Sequence, residues 1–423
     1  MAIGRYYSRV EIFFFILFNN LLPSCNQISA EKAEWEKVRN VLSEKMALYD
    51  PVFKKLSEEK LLGWESPAVS ALWKSRTRKF KVQSSGNRAA DSKKFTPEDS
   101  KYFKFYKDVL PVYGGDVFVN TGNGEQFIDI GSAPGGLCKY LTTEMGWRGY
   151  GFSLSPSEGG LEMKFSNPSR LRFSLANVTK ENEWRRVVEL CKNAGFDNVD
   201  FVNIGVVVDY GQVDADGGGS DEMCCRSISS SISQFLILLK TLKQGGNGMW
   251  IHSIAHLDTF FFFIKHIVGC FSSVRILNTL VPARSPVYVL MKGFKKDSCL
   301  GFKEVLLRDN GTVTAMSISK WQVGDFGEIQ NIFESFPEIL SDIHNIWNQK
   351  KDSLQETRLF AEKRASGKPD DSFVSSSSQP AATTSASTVC GIGSSESLSS
   401  IQQLTVPRSF GPPPRIKKLA DDP

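Results

Sequence analysis

The chain has 423 residues, a formal charge of +5 from 51 basic and 46 acidic side chains, and 41% hydrophobic residues. That length allows one sizeable domain with flanks, or two domains, and so small a net charge does not by itself name a partner. The eight cysteines stand at 25, 138, 191, 224, 225, 270, 299 and 390. None forms a Cys-x-x-Cys pair, which excludes the common zinc frameworks and suits reduced thiols. His252 and His256 are four apart with no third ligand nearby, so no metal is expected.

In chain order, residues 1–30 read as a leader, poorly ordered or helical. The apolar run Phe13-Phe-Phe-Ile-Leu-Phe18 is too short to span a bilayer. Arg5 and Arg9 precede it as in a secretory signal, a reading that the intracellular chemistry expected downstream opposes. Residues 31–99 read as a helical N-terminal extension. Trp35, Val38, Val41, Leu42 and Met46 share one face, Asp50-Pro51 breaks the pattern, and a second helix runs through Leu56, Leu61 and Leu62. Residues 74–107 carry eleven Lys or Arg against three acids, with Trp73, Phe80, Phe95, Tyr102, Phe103 and Tyr106 interleaved. Basic groups offset phosphate and aromatics stack on unpaired bases, so the stretch suits RNA; a solvated helix face with inward aromatics is the plainer alternative.

Residues 100–297 read as the main domain. Strands are expected at 127–130, 148–154, 171–175, 201–209, 248–254, 273–278 and 287–294. Helices are expected at 135–145, 182–193, 227–242 and 257–267, with Gly245-Gly246 closing the third. Such alternation predicts an α/β doubly wound sheet, mostly parallel, with one antiparallel edge strand and helical N- and C-terminal extensions. Residues 298–365 read as a hairpin at the Asn310-Gly311 turn followed by an amphipathic helix with a stripe from Ile329 to Trp347. Residues 366–423 are rich in Ser, Thr, Ala and Gly and are expected to be disordered.

One stretch organises the domain. Phe127 to Ile130 is a short apolar strand; Gly131, Ser132, Pro134, Gly135 and Gly136 form a turn; Leu137, Tyr140 and Leu141 follow at helix spacing. Strand, glycine-rich turn and helix make the geometry of a nucleotide-type cofactor site. The string Asp-x-Gly-x-x-Pro-Gly-Gly resembles the first motif of the FtsJ-type S-adenosylmethionine-dependent RNA 2′-O-methyltransferases. Gly149-Tyr-Gly-Phe-Ser-Leu-Ser-Pro with Gly159-Gly160 resembles the second strand and loop of the fungal members.

The resemblance implies a Rossmann-like methyltransferase fold, with S-adenosyl-L-methionine held by Asp129, Gly131, Ser132, Pro134, Gly135 and Gly136. Asn177 falls where an acid usually receives the adenine amino group. It implies methyl transfer to the ribose 2′-hydroxyl of RNA, rRNA or cap, in the cytoplasm or nucleus, with neither membrane nor metal. The family's active site is a Lys-Asp-Lys-Glu tetrad, in which a neutral lysine can serve as base. Lys104 in Tyr102-Phe-Lys-Phe105 resembles its first lysine, with Lys101 and Lys107 within one turn. Asp209 is expected as its carboxylate, with Asn203 in another register. The second lysine falls on Ile251, or on His252 after a one-residue insertion, and His252 could act as base near neutral pH. The glutamate falls on Pro286. Two of the four are thus unmatched, and a catalytically silent module that binds RNA or protein is the competing expectation.

Overall fold

The computed structural model describes residues 42–69, 101–110, 117–118, 122, 124–180, 183–207, 220–254, 257–278, 286–308, 313 and 315–366. All lie in the first of two units, Met1–Lys368; the second, Pro369–Pro423, and the leader fall outside the described residues. So do most of the basic stretch and residues 309–312, but the expected hairpin is not formed by the described residues around them, since Leu300–Leu307 is an α-helix and Ala315–Trp321 a 3₁₀ helix.

Seven strands build one sheet: β1 Gln126–Ile130, β2 Arg148–Ser153, β3 Leu171–Leu175, β4 Val199–Ile204, β5 Leu242–Ser253, β6 Phe271–Asn278 and β7 Pro286–Phe294. Their order is β3-β2-β1-β4-β5-β7-β6. The first five pair in parallel, and β7 runs antiparallel to both β5 and β6. The two late strands therefore pair as expected, with the reversed strand one place in from the edge.

The helices are α1 Pro51–Glu65, α2 Lys101–Lys104, α3 Gly136–Lys139, α4 Glu183–Asn193, α5 Ser220–Thr241, α6 Leu257–Cys270, α7 Leu300–Leu307, α8 Phe326–Ser335 and α9 Pro337–Ala365. α2 and α3 continue as wider π turns over Phe105–Val109 and Tyr140–Glu144. A strand's side chains alternate between faces. Phe127, Phe201, Met249, Tyr288 and Leu290 therefore share one face, which packs with Phe105, Tyr106, Leu137 and Tyr140 of α2 and α3. Ile128, Val202, Trp250 and Val289 take the other, with α4, α5 and α6. Phe127 lays its ring over β2 so closely that a Cβ on Gly149 would fall 2.1 Å from it.

Three boundaries differ from expectation. The Ile329–Trp347 stripe is two helices, because Pro337 has no N–H and holds Phe336 out of helical geometry (φ −137, ψ 71). Gly245-Gly246 lie within β5 and not at a helix end. Val199 pairs Leu242 while Phe201 pairs Asn247, so residues 243–246 bulge and Gly245 takes φ +76 there. Finally, β4 stops at Ile204, five residues before Asp209.

α9 closes the sheet edge. Asp342 accepts from the edge amide of Ile276 (2.8 Å) and from Arg275 Nε (2.7 Å). The same helix grips α1 through a tilted Phe53–Trp347 ring contact at 4.8 Å and Arg358–Glu59 at 2.6 Å. Asp50 caps α1, accepting from Val52 N and Phe53 N, and also meets His344.

Candidate cofactor site and catalytic face

The glycine-rich turn sits at the C-terminal end of the central strand β1. The amides of Gly131 and Ser132 both donate to Phe152 O (2.8 and 3.0 Å), and Ala133 N donates to Ser153 Oγ at 2.7 Å. The turn is thereby fastened to the end of β2. Gly131 takes φ +84, and a Cβ there would lie 3.0 Å from the Gly205 carbonyl carbon and the Val206 amide nitrogen. Gly135 takes φ +110 before α3, and its Cβ would lie 2.7 Å from Phe165 Cβ and 3.1 Å from Met163 Sδ. Gly136 would meet Tyr102 Cβ and Phe103 N at 3.1 Å. Lys164 N reaches Pro134 O at 3.1 Å. The glycines are thus accounted for by close packing within the chain: Gly205 and Val206 just past β4 beneath, α2 on one side, residues 163–165 on the other.

Asp129 lies under this turn with 1% of its surface exposed. Its Oδ1 accepts from Asn203 Nδ2 (2.7 Å) and its Oδ2 from Cys138 Sγ (3.1 Å). Burial pushes its pKa up to about 6 against the opposing pull of these two bonds. Asp129 therefore positions the turn by tying β1 to β4 and α3. Next to it, Asn203 Oδ1 is buried with no hydrogen-bond partner among the described residues. Sequence reasoning weighed Asn203 only as a stand-in for the catalytic carboxylate; its pairing with Asp129 across β1 and β4 was not legible in the motif.

At the adenine end the expected residue is otherwise engaged. Asn177 Oδ1 accepts from Thr179 N (3.2 Å) and Thr179 Oγ1 (2.6 Å), which occupies both lone pairs. Asn177 Nδ2 donates to Glu158 Oε1 at 3.3 Å. Glu158, missed in the sequence, follows β2 in a 3₁₀ turn and pairs with Lys180 at 2.6 Å. The Ser155-Pro-Ser-Glu158 spacing was the available signal, since it resembles a capping box.

The catalytic candidates separate. Lys104 is exposed on α2, and that helix lies on the Asp129 face of the sheet, with Phe105 stacked on Tyr288 of β7 at 4.7 Å. Phe103 is flanked by Lys139 and Lys107 amines at 5.0 and 5.8 Å. Asp209 lies outside the described residues, and Gly205 takes the first position past β4. Ile251 is on this same face, its Cδ1 3.4 Å from where a Gly205 Cβ would be. Pro286 pairs with Ser253 at the start of β7. At the C-terminal ends of β4 and β5 and the start of β7, the face thus presents Gly205, Ile251 and Pro286, none of them ionisable.

His252 is the correction. One residue beyond Ile251, it points to the opposite face, 5% exposed, with its ring 4.3 Å from Trp250 and 6.0 Å from Phe260. It is a core histidine, packed on the face of the sheet opposite α2 and Lys104.

Residues 113–294 match the family model described as FtsJ-like methyltransferase. That segment is an FtsJ-like methyltransferase domain. Solved structures similar to the chain include a Plasmodium falciparum protein described as a ribosomal RNA methyltransferase (15% identity, 46% of this chain, 97% of that one, TM-score 0.34). An rRNA methylase from Streptococcus thermophilus has 10% identity, covering 44% of this chain and 97% of that one at a TM-score of 0.29. The fibrillarin/Nop5p complex has 14% identity, 40% and 73% coverage, and a TM-score of 0.27. None of these three likenesses carries weight beyond the family match, and no curated protein matches the chain. Among the described residues no helix is long and apolar enough to cross a membrane, and no group of three or more His, Cys, Asp or Glu side chains could hold a metal ion.

Proposed function

We propose that the FtsJ-like domain binds S-adenosylmethionine at the turn between β1 and α3 and methylates a ribose 2′-hydroxyl of RNA, ribosomal or capped. One observation carries the reading: Asp129-x-Gly-x-x-Pro-Gly-Gly136 forms the turn at the C-terminal end of the central strand, inside the segment that matches the family. Ligands of open α/β sheets bind at that end. The cofactor supplies a methyl group activated on sulfonium. Gly131, Ser132, Pro134, Gly135 and Gly136 would line it, and Asn203 Oδ1 offers an acceptor for a ligand donor. Asn177 does not fit the adenine role, because its oxygen is spent on Thr179. Lys104 Nζ would take the hydroxyl proton as the ribose oxygen bonds the methyl carbon and the carbon–sulfur bond breaks, releasing the neutral thioether, and the motif gives Asp209 the part of orienting that amine. A cytoplasmic or nuclear site of action belongs to the same proposal.

A second reading, a catalytically silent module that binds RNA or protein, is favoured by Gly205, Ile251 and Pro286 on the catalytic face. Labelled methyl transfer to capped and uncapped RNA, with nucleoside digestion, separates the two. The enzyme yields 2′-O-methylated nucleosides, and Asp209→Ala abolishes the label while calorimetric cofactor affinity holds. Binding without any label establishes the silent module.

A further inference from the structure

At the end of the sheet away from the glycine-rich turn, lysines converge from separate elements. Lys240 ends α5 just before β5 begins. Lys295 and Lys296 follow β7, whose antiparallel course brings its C-terminus to that same end. Lys303 comes from the middle of α7. The turn that carries them is fixed: Lys296 N donates to Gln244 Oε1 in the β5 bulge, and Lys295 N to Cys270 O, both at 2.8 Å.

α5 and α7 pack on each other at this end, and burial first, then the like charges of Lys303 and Lys296, lower the Lys240 pKa. Two ammonium groups can only donate, so as cations they repel. An α-helix C-terminus favours one cation, which explains Lys240 but not Lys296 or Lys303. Asp297 and Glu304 lie nearby in sequence, while Lys243 already has Asp200 as its partner. Lys240 and Lys296 are exposed and Lys303 is half-buried. A phosphate between such amines would turn mutual repulsion into attraction.

We propose that Lys240, Lys296 and Lys303 form a second contact for the phosphate backbone of RNA, which makes the substrate a folded RNA long enough to span the domain and not a short capped end. The inference rests on the RNA reading above. Five to six residues of strand separate the two ends of the sheet, roughly 17–20 Å at the rise of a β-strand, a span of several nucleotides.

Fluorescence anisotropy with a long folded RNA and a short capped oligonucleotide, each over a salt series, tests it. For the triple variant Lys240→Glu, Lys296→Glu, Lys303→Glu, affinity for the folded RNA should fall at least about tenfold. The slope of log affinity against log salt should shrink by about 2–3. Binding of the short oligonucleotide should be unchanged. The triple Lys→Gln variant guards against misfolding by charge reversal and should show the same slope change. Unchanged folded-RNA affinity and slope in both triples, or equal loss on both RNAs, overturns the proposal and leaves the RNA reading standing. Loss confined to anionic lipid vesicles overturns it in favour of a membrane surface. A wild-type protein that binds neither RNA ends both readings.

Discussion

Asp129 of β1 stands opposite Asn203 of β4 in the sheet register and accepts a 2.7 Å hydrogen bond from its amide. The pair ties the glycine-rich turn after β1 to β4, the strand that precedes Asp209 in the sequence. Burial of the carboxyl group raises its pKa from 3.8 to about 6, against the pull of this bond. A raised acid pKa means that the folded chain holds its proton more tightly than the unfolded one. Stability from this group is full below about pH 4 and is lost as pH rises to about 6, a change of roughly 3 kcal/mol. Asp129→Asn removes the titration and keeps an oxygen for Asn203. Urea unfolding should show the variant gaining on wild type by about 2–3 kcal/mol between pH 4 and pH 7. An unchanged difference between the two proteins would count against the buried acid.

His252→Ala tests the facing of β5. Loss of a ring packed on Trp250 and Phe260 should cost about 2–4 kcal/mol in unfolding free energy. The pH profile of methyl transfer should keep its shape. A profile that loses a limb near neutrality would return His252 to the catalytic face.

The turn, the order of elements and most strand limits were legible because each rests on local pattern: apolar runs, glycine clusters and helical spacing. What depended on one residue of register was not. The second lysine's place falls on Ile251, or on His252 after a one-residue insertion, and only the pleat decides which of them faces α2. Gly245 fits a helix end or a bulge equally well, since both want φ > 0. The packing of Gly135 on Phe165 and of Gly136 on Phe103 comes from segments outside the motif, so the motif could not announce it.

Lys350 of α9 is 5% exposed, and burial with the charge of Lys60 brings its pKa down to about 7. A lowered lysine pKa means that the folded chain sheds a proton that the unfolded chain keeps. Its destabilising effect is full below pH 7 and fades as pH approaches the unfolded value of 10.5. Lys350→Met should therefore raise unfolding free energy at pH 6–7 by about 2 kcal/mol or more, with the gain shrinking toward pH 10. A gain independent of pH would point to packing alone.

Asp342→Ala strips the edge amide of Ile276 and the Arg275 guanidinium of their shared acceptor. Chemical denaturation should show a loss of about 2–4 kcal/mol, and Asp342→Asn a smaller one, because the amide oxygen can still accept from Ile276. Equal losses for the two variants would show that the charge on Asp342 carries the closure.

Titration calorimetry with S-adenosylmethionine bears most directly on the whole account. One cofactor per chain is predicted, with affinity retained in Asp209→Ala and reduced at least about tenfold in Asn203→Leu, which removes the buried acceptor beside the turn. A wild-type protein that gives no binding heat at millimolar cofactor would contradict it.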